Sequence, residues 1–91
     1  MGRASSGEVW RRIEAHQHER FETITGKPFT YAVDGNQLMV GRTDFPLHSS
    51  DFAKALDLVP LSGPGEINFT VRGPAYIWAI LHDERIRQGE W

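Results

Sequence analysis

The segment from Arg20 to Thr43 constrains the fold more than any other part of the sequence. Three stretches in it have the character of short strands, and two tight turns separate them. Glycine supplies the positive φ that hairpin turns require, and alternation of apolar and polar residues is typical of a half-buried strand. The pattern predicts an antiparallel meander with one face packed on helices and the other free. Its strands are Phe21–Thr25, Phe29–Val33 and Gln37–Arg42, and its turns are Thr25-Gly26-Lys27-Pro28 and Asp34-Gly35-Asn36.

Helical patterns lie on both sides of the meander. Ser5 stands three residues before Glu8, which is the spacing of a capping box, and apolar residues follow at helical spacing. Two further helices are predicted, one from Ser49 or Ser50 to Val59 and one from Pro74 to Gln88. Between them, residues 66–72 fit either a fourth strand or a short helical turn.

These elements predict a small α+β domain in the order α-β-β-β-α-(β)-α, with two to three helices against the sheet. Residues 1–91 are expected to form a single domain, with residues 1–5 as a flexible N-terminus. The predicted core contains Phe21, Phe29, Tyr31, Val33, Leu38, Val40, Phe52, Leu56, Ile77, Ile80 and Leu81.

Composition removes several classes of function. The 91 residues include no cysteine, which excludes disulfides, zinc–thiolate sites and cysteine nucleophiles. No apolar run approaches the length of a membrane-spanning helix, so no membrane association is expected. Residues 1–6 lack the apolar region of a secretory signal. A cytoplasmic protein of bacterial type is therefore the expectation.

The histidines do not form a metal-binding pattern. His16 and His18 are two residues apart and would point to different sides of a helix, whereas ligand pairs on a helix stand three or four apart. We therefore predict no metal and no cofactor. Catalysis is kept as one alternative, in which a small enzyme uses His48 or His82 as acid and base in a cleft between two copies.

The first functional hypothesis is a small, non-enzymatic nucleic-acid-associated module, with a regulatory role and with DNA or RNA left open. The net charge of −2 argues against strong binding to nucleic-acid phosphates. However, eight of the ten basic residues are arginine, whose guanidinium suits bidentate recognition of a phosphate. The candidate contacts are Lys27, Arg42, Arg72 and Arg11.

The order helix, meander, helix is similar in shape to that of double-stranded RNA-binding domains. That family presents consecutive lysines at the start of its second helix, where this sequence has Ser50 and Asp51. An acidic residue at that position would repel a phosphate. The similarity is one of shape, and it implies no membership.

The second hypothesis is a protein-interaction adaptor or a homodimerisation domain. Trp10 precedes the Arg11-Arg12 pair, and tryptophan with arginine is enriched at protein interfaces. Trp91 is the second candidate contact, and the free face of the sheet is the third. A chain of this length has a thin core, which makes a dimer plausible. The partner, nucleic acid or protein, stays open.

Overall fold

The computed structural model describes residues 4–41, 45–68 and 70–91. It confirms a small α+β domain, with one two-stranded and one three-stranded antiparallel sheet. Among the described residues, no helix is long and apolar enough to cross a membrane. The elements are α1 (Ser6–Ala15), β1 (Phe21–Glu22), β2 (Pro28–Phe29), β3 (Tyr31–Asp34), β4 (Gln37–Val40), β5 (Pro46–His48), α2 (Ser49–Leu56), a 3-10 helix (Pro64–Ile67), α3 (Pro74–Leu81) and α4 (Glu84–Arg87).

Helix α1 begins where the capping pattern predicts. The Ser5 hydroxyl accepts a hydrogen bond from the Glu8 amide at 3.3 Å, and Val9 and Ile13 form its buried stripe. The Glu8 carboxylate bonds to Arg12 one turn later, at 3.3 Å. Residues 1–3 of the segment expected to be flexible lie outside the described residues, and the Ala4 amide donates to the Glu90 carboxylate at 2.7 Å.

The strands are divided differently from the predicted meander. The predicted second strand, 29–33, splits at Thr30, so that β2 pairs with β1 and β3 pairs with β4. The physical reason lies at the outer edge of β3. There the Val33 amide donates to the Gln17 side chain at 3.0 Å, and the His18 amide donates to the Tyr31 carbonyl at 2.8 Å. Because the residues that follow α1 occupy this edge, β1 forms strand pairs only with Pro28 and Phe29.

The first predicted turn is displaced in the structure, and the second lies at the predicted residues. The first turn lies at Thr23–Gly26, where the Gly26 amide donates to the Thr23 carbonyl at 2.9 Å. Gly26 has φ 85° and is therefore the third residue of a three-residue loop with a bulge, not the first residue of a two-residue turn. Gly35 has φ 62° at the first position of the β3–β4 hairpin, inside the predicted turn Asp34-Gly35-Asn36.

The third strand of the larger sheet comes from the stretch between the predicted third strand and the predicted second helix, where no strand is predicted. Strand β5 pairs with β4, with Leu47 opposite Leu38. Alternation over only three residues, the first of them a proline, is too short a pattern to predict a strand at Pro46–His48. Of the two alternatives for residues 66–72, the structure has the helical turn and not the strand, because Pro64–Ile67 form a 3-10 helix. Ile67 and Val71 are both buried at a spacing that fits a helical turn as well as a strand.

The core lies between the helices and the inner faces of the sheets. All predicted core residues are buried except Val33, which is half-buried and packs against the others. Helix α3 is central to it, with Ile77, Ala79, Ile80 and Leu81 buried. Trp91 completes the core from the far end of the chain, at 8% exposure.

Candidate interaction surface

The outer sheet face is the side of the β3–β4–β5 sheet that points away from the core. Directly paired residues on antiparallel strands project to the same face, so the register defines it. Its central row is Ala32, Met39 and Pro46, and Met39 is 41% exposed. At one end of the face lies a row of exposed polar residues, Asp34, Gln37 and His48. At the other end lie two small exposed residues, Thr30 and Gly41.

Two shallow hollows extend this face toward β1 and β2. One, of about 370 Å³, lies beside Met39 and includes His18 and Ala32. The other, of about 400 Å³, lies between Arg20 and Phe29. Thr30 and Gly41 line both hollows, so the two lie side by side. The side chains of His18 and Arg20 thus stand at the end of the face opposite Asp34.

Neither edge of this sheet is suited to strand addition. Gln17 and His18 occupy the outer edge of β3. Strand β5 has only three residues, begins with a proline that lacks an amide hydrogen, and leads directly into α2. A partner of this sheet would therefore meet its face and not its edge.

The predicted nucleic-acid contacts lie on separate elements. Lys27 is exposed in the β1–β2 loop, and Arg11 is exposed on α1. Arg72 is exposed before α3, with its guanidinium 4.3 Å from the ring centre of half-buried Phe45. Arg42 lies outside the described residues. Among the described atoms, no hydrogen bond, ion pair or ring contact joins Arg11, Lys27 and Arg72 to one another.

Arg85, by contrast, is committed to contacts within the chain. Its guanidinium donates to both carboxylate oxygens of Asp83, at 2.8 and 2.9 Å, and to Glu19 at 3.1 Å. It also bonds to the Arg20 carbonyl and lies 3.8 Å from the ring centre of Phe21. The hydrogen bonds from Arg85 hold the pKa of Asp83 below its ordinary value. Arg85 therefore fastens α4 to β1.

Arg12 has a similar role at the other end of α4. Its guanidinium donates to the Ile86 carbonyl at 2.9 Å and to the Glu90 carboxylate at 2.7 Å. Hydrogen bonding from Arg12 keeps the pKa of Glu90 below its ordinary value. Two arginines are thus used within the chain: Arg12 joins α1 to α4, and Arg85 joins α4 to β1.

The two tryptophans predicted at an interface have different positions. Trp10 is half-buried; its indole N–H donates to the Gly35 carbonyl at 3.0 Å, and its ring meets Phe52 edge-on at 5.4 Å. Trp91 is inside the core, where its indole N–H donates to the Leu81 carbonyl at 2.7 Å. The core position leaves Trp91 little surface for a partner.

The two candidate catalytic histidines also differ. His82 uses both ring nitrogens on backbone: Nδ1 lies 3.0 Å from the Trp78 carbonyl, and Nε2 accepts from the Leu61 amide at 3.0 Å. Burial lowers the pKa of His82. A neutral ring with both nitrogens engaged cannot exchange a proton with a substrate without breaking these bonds. His48 is exposed on the outer sheet face and directly precedes α2.

Within residues 4–41, 45–68 and 70–91, no three metal-ligating side chains come together. No protein-family model matches this sequence, and neither curated proteins nor solved structures show a significant match to it.

Part of the outer sheet face can be recognised in the sequence. Thr30, Met39 and Gly41 are predicted on the free face from strand alternation alone. His18 and Arg20 are not, because they follow a helix and reach the face only through the bond from His18 to Tyr31. Pro46 is not predicted either, since its segment has no strand pattern of sufficient length.

Proposed function

We propose that this protein is a small protein-interaction module and that a partner docks on the outer sheet face. The observation that carries the proposal is Met39, a large apolar side chain 41% exposed at the centre of a row flanked by Ala32 and Pro46. A large apolar side chain at the centre of a face ringed by polar residues is typical of an interface core.

The size of the face sets the expected strength of binding. Complete burial of a methionine side chain contributes about 1.5–3 kcal/mol, and a few smaller neighbours add to this. Association also costs rotational and translational freedom. A face of this size therefore supports a transient complex better than a permanent one. Its hollows offer a partner room for one or two side chains.

The test is a photo-crosslinking amino acid placed at Met39, with Glu14 as the matched control. Glu14 is exposed on α1 and does not belong to the outer sheet face. In cells that express the full chain, we expect the Met39 probe to give a discrete cross-linked species several times more abundant than that of the Glu14 probe. Mass spectrometry of the cross-linked peptide then identifies the partner. Equal, diffuse cross-linking from both positions would contradict the proposal.

A second candidate function is nucleic-acid binding, and the Arg72–Phe45 pair favours it. A planar cation stacked at 4.3 Å on an aromatic ring at the surface resembles the platforms on which single-stranded bases stack. Lys27, Arg11 and Arg42 would add phosphate contacts under this proposal.

Fluorescence anisotropy tests this second candidate with labelled single-stranded DNA, duplex DNA and duplex RNA at low and physiological salt. Arg72→Glu combined with Lys27→Glu should abolish binding, and Lys54→Glu on the exposed side of α2 is the charge-matched control for one such reversal. Absence of binding at low salt, or equal losses in test and control variants, would contradict the candidate.

A further inference from the structure

We infer that the partner on the outer sheet face is a second copy of this chain, related by a two-fold axis through the Ala32–Met39 pair. This inference rests on the proposed function and adds the identity of the occupant. It comes from the distribution of charge and shape on the face, which is complementary to itself when rotated by half a turn.

Charge is the first argument. The end of the face at Thr30 carries Arg20, which pairs with Glu22 of its own chain, and the other end carries Asp34. From Thr30 to Asp34 the strand rises about 14 Å, at roughly 3.4 Å per residue. Rotation about the middle of this length exchanges the two ends. Each Arg20 then faces Asp34 of the other copy, and the contact occurs twice, as an isologous interface requires.

Shape is the second argument. Met39 projects from the centre of the face, and the 370 Å³ hollow beside it is lined in part by the small residues Thr30, Ala32 and Gly41. A half-turn about this row places the Met39 side chains of the two copies against each other at the axis, and the small residues around the hollow leave room for them. Flexible methionine side chains adapt easily to such a contact.

Arg20 is available for a contact between copies. In the single chain its guanidinium pairs with Glu22 at 3.3 Å, and both side chains are more than half exposed. Exposed pairs of this kind contribute about 0–1 kcal/mol, so they exchange readily for a better-placed carboxylate. Gln17 and His18 occupy the edge of β3, and the short β5 begins with a proline. A second copy would therefore contact the face of the sheet and not one of its edges.

The expected dimer is weak. Three strands spaced about 4.8 Å apart and about 14 Å long give a contact well below the roughly 800 Å² per partner of a stable interface. We therefore expect a dissociation constant on the order of 100 µM. Met39→Lys should prevent dimerisation at every accessible concentration, because it places two like charges at the axis.

A charge exchange between two variants tests the two-fold geometry. Sedimentation equilibrium of the full chain, from about 5 µM to about 1 mM, should show the native protein passing from monomer to dimer. Arg20→Glu alone and Asp34→Arg alone should each weaken the dimer about tenfold or more, because like charges then face each other.

A mixture of these two variants should regain the native affinity as a heterodimer, since the carboxylate introduced in one copy then faces the guanidinium introduced in the other. Arg11→Glu is the control and should change nothing. All of the substituted positions are exposed, and circular dichroism verifies the fold.

The outcomes separate this inference from the proposed function. A native chain that stays monomeric up to about 1 mM overturns the second copy as occupant. So does a mixture that fails to regain affinity. If the Met39 probe then cross-links to a different protein, the interaction module stands and only the identity of the partner is wrong. A monomer without specific cross-links at Met39 contradicts both.

Discussion

The imidazole of His82 stacks on the indole of Trp78, with ring centres 4.8 Å apart and planes 13° apart. The two side chains form hydrogen bonds with both backbone polar groups of Leu61. The Trp78 indole donates to the Leu61 carbonyl at 3.1 Å, and the Leu61 amide donates to His82 Nε2 at 3.0 Å. The loop after α2 is thus fastened to α3 by two side chains one helical turn apart.

Protonation of His82 should release part of this fastening. Because burial keeps the folded-state pKa of His82 below its unfolded value of about 6.5, the unfolded chain takes up the proton more readily. The free energy of unfolding should therefore fall as pH drops below about 6.5, and continue to fall until the folded-state pKa is passed. The nearby charges are Arg87, which lowers this pKa, and Glu66, which raises it.

Urea denaturation between about pH 7.5 and about pH 5.5 measures the effect. His82→Gln should remove this component of the pH dependence and cost about 1–3 kcal/mol at the higher pH. His48→Gln, at an exposed position, should keep the native dependence. An unaltered dependence in His82→Gln would show that another group is responsible.

Gly73→Ala should be the most damaging glycine substitution. Gly73 has φ 65°, and a Cβ there would lie 2.6 Å from the Cδ2 atom of fully buried Leu47. We expect a loss of about 1–2 kcal/mol from backbone strain and about 1–3 kcal/mol from crowding. Gly35→Ala separates the two causes, because its φ is 62° but its surroundings are open. Thermal unfolding should rank Gly73→Ala below Gly35→Ala, with Gly65→Ala near the native protein. Equal losses for Gly73→Ala and Gly35→Ala would mean that Leu47 moves aside.

Arg85→Lys should destabilise the fold although the charge is kept. Lysine cannot donate to both oxygens of Asp83 while it also lies flat over Phe21. The expected loss is about 1–3 kcal/mol in chemical denaturation. Arg11→Lys, on an exposed part of α1, should stay within about 0.5 kcal/mol of the native chain. Similar values for the two variants would remove Arg85 from the interactions that hold α4.

Trp91→Ala should cost about 3–5 kcal/mol, because it empties a core position at the end of the chain. Trp91→Phe keeps most of the packing but loses the bond to the Leu81 carbonyl, and should cost about 1 kcal/mol beyond the difference in size. Trp10→Phe is the matched substitution at a half-buried site. A native-like unfolding transition for Trp91→Ala would restore Trp91 as a candidate contact for a partner.

Local patterns predicted much of this fold. The Ser5 cap, the stripe of Val9 and Ile13, and the β3–β4 hairpin at Gly35 depend on neighbours a few residues away. The candidate interaction surface was harder to predict from the sequence. Alternation predicted that Met39 faces outward, but His18 and Arg20 join the same face only because α1 ends against β3.

The sequence by itself determined the class of the fold, the positions of the main helices and most of the core, because local hydrogen bonding and hydrophobic periodicity decide these. Only the tertiary structure decided how the strands are divided, since Gln17 and His18 compete with β1 for the same edge of β3. It also decided that Trp91 is a core residue and that His82 binds backbone. Contacts between residues far apart in the chain leave no trace in the spacing of neighbours, so they arise only when the helices and sheets pack together.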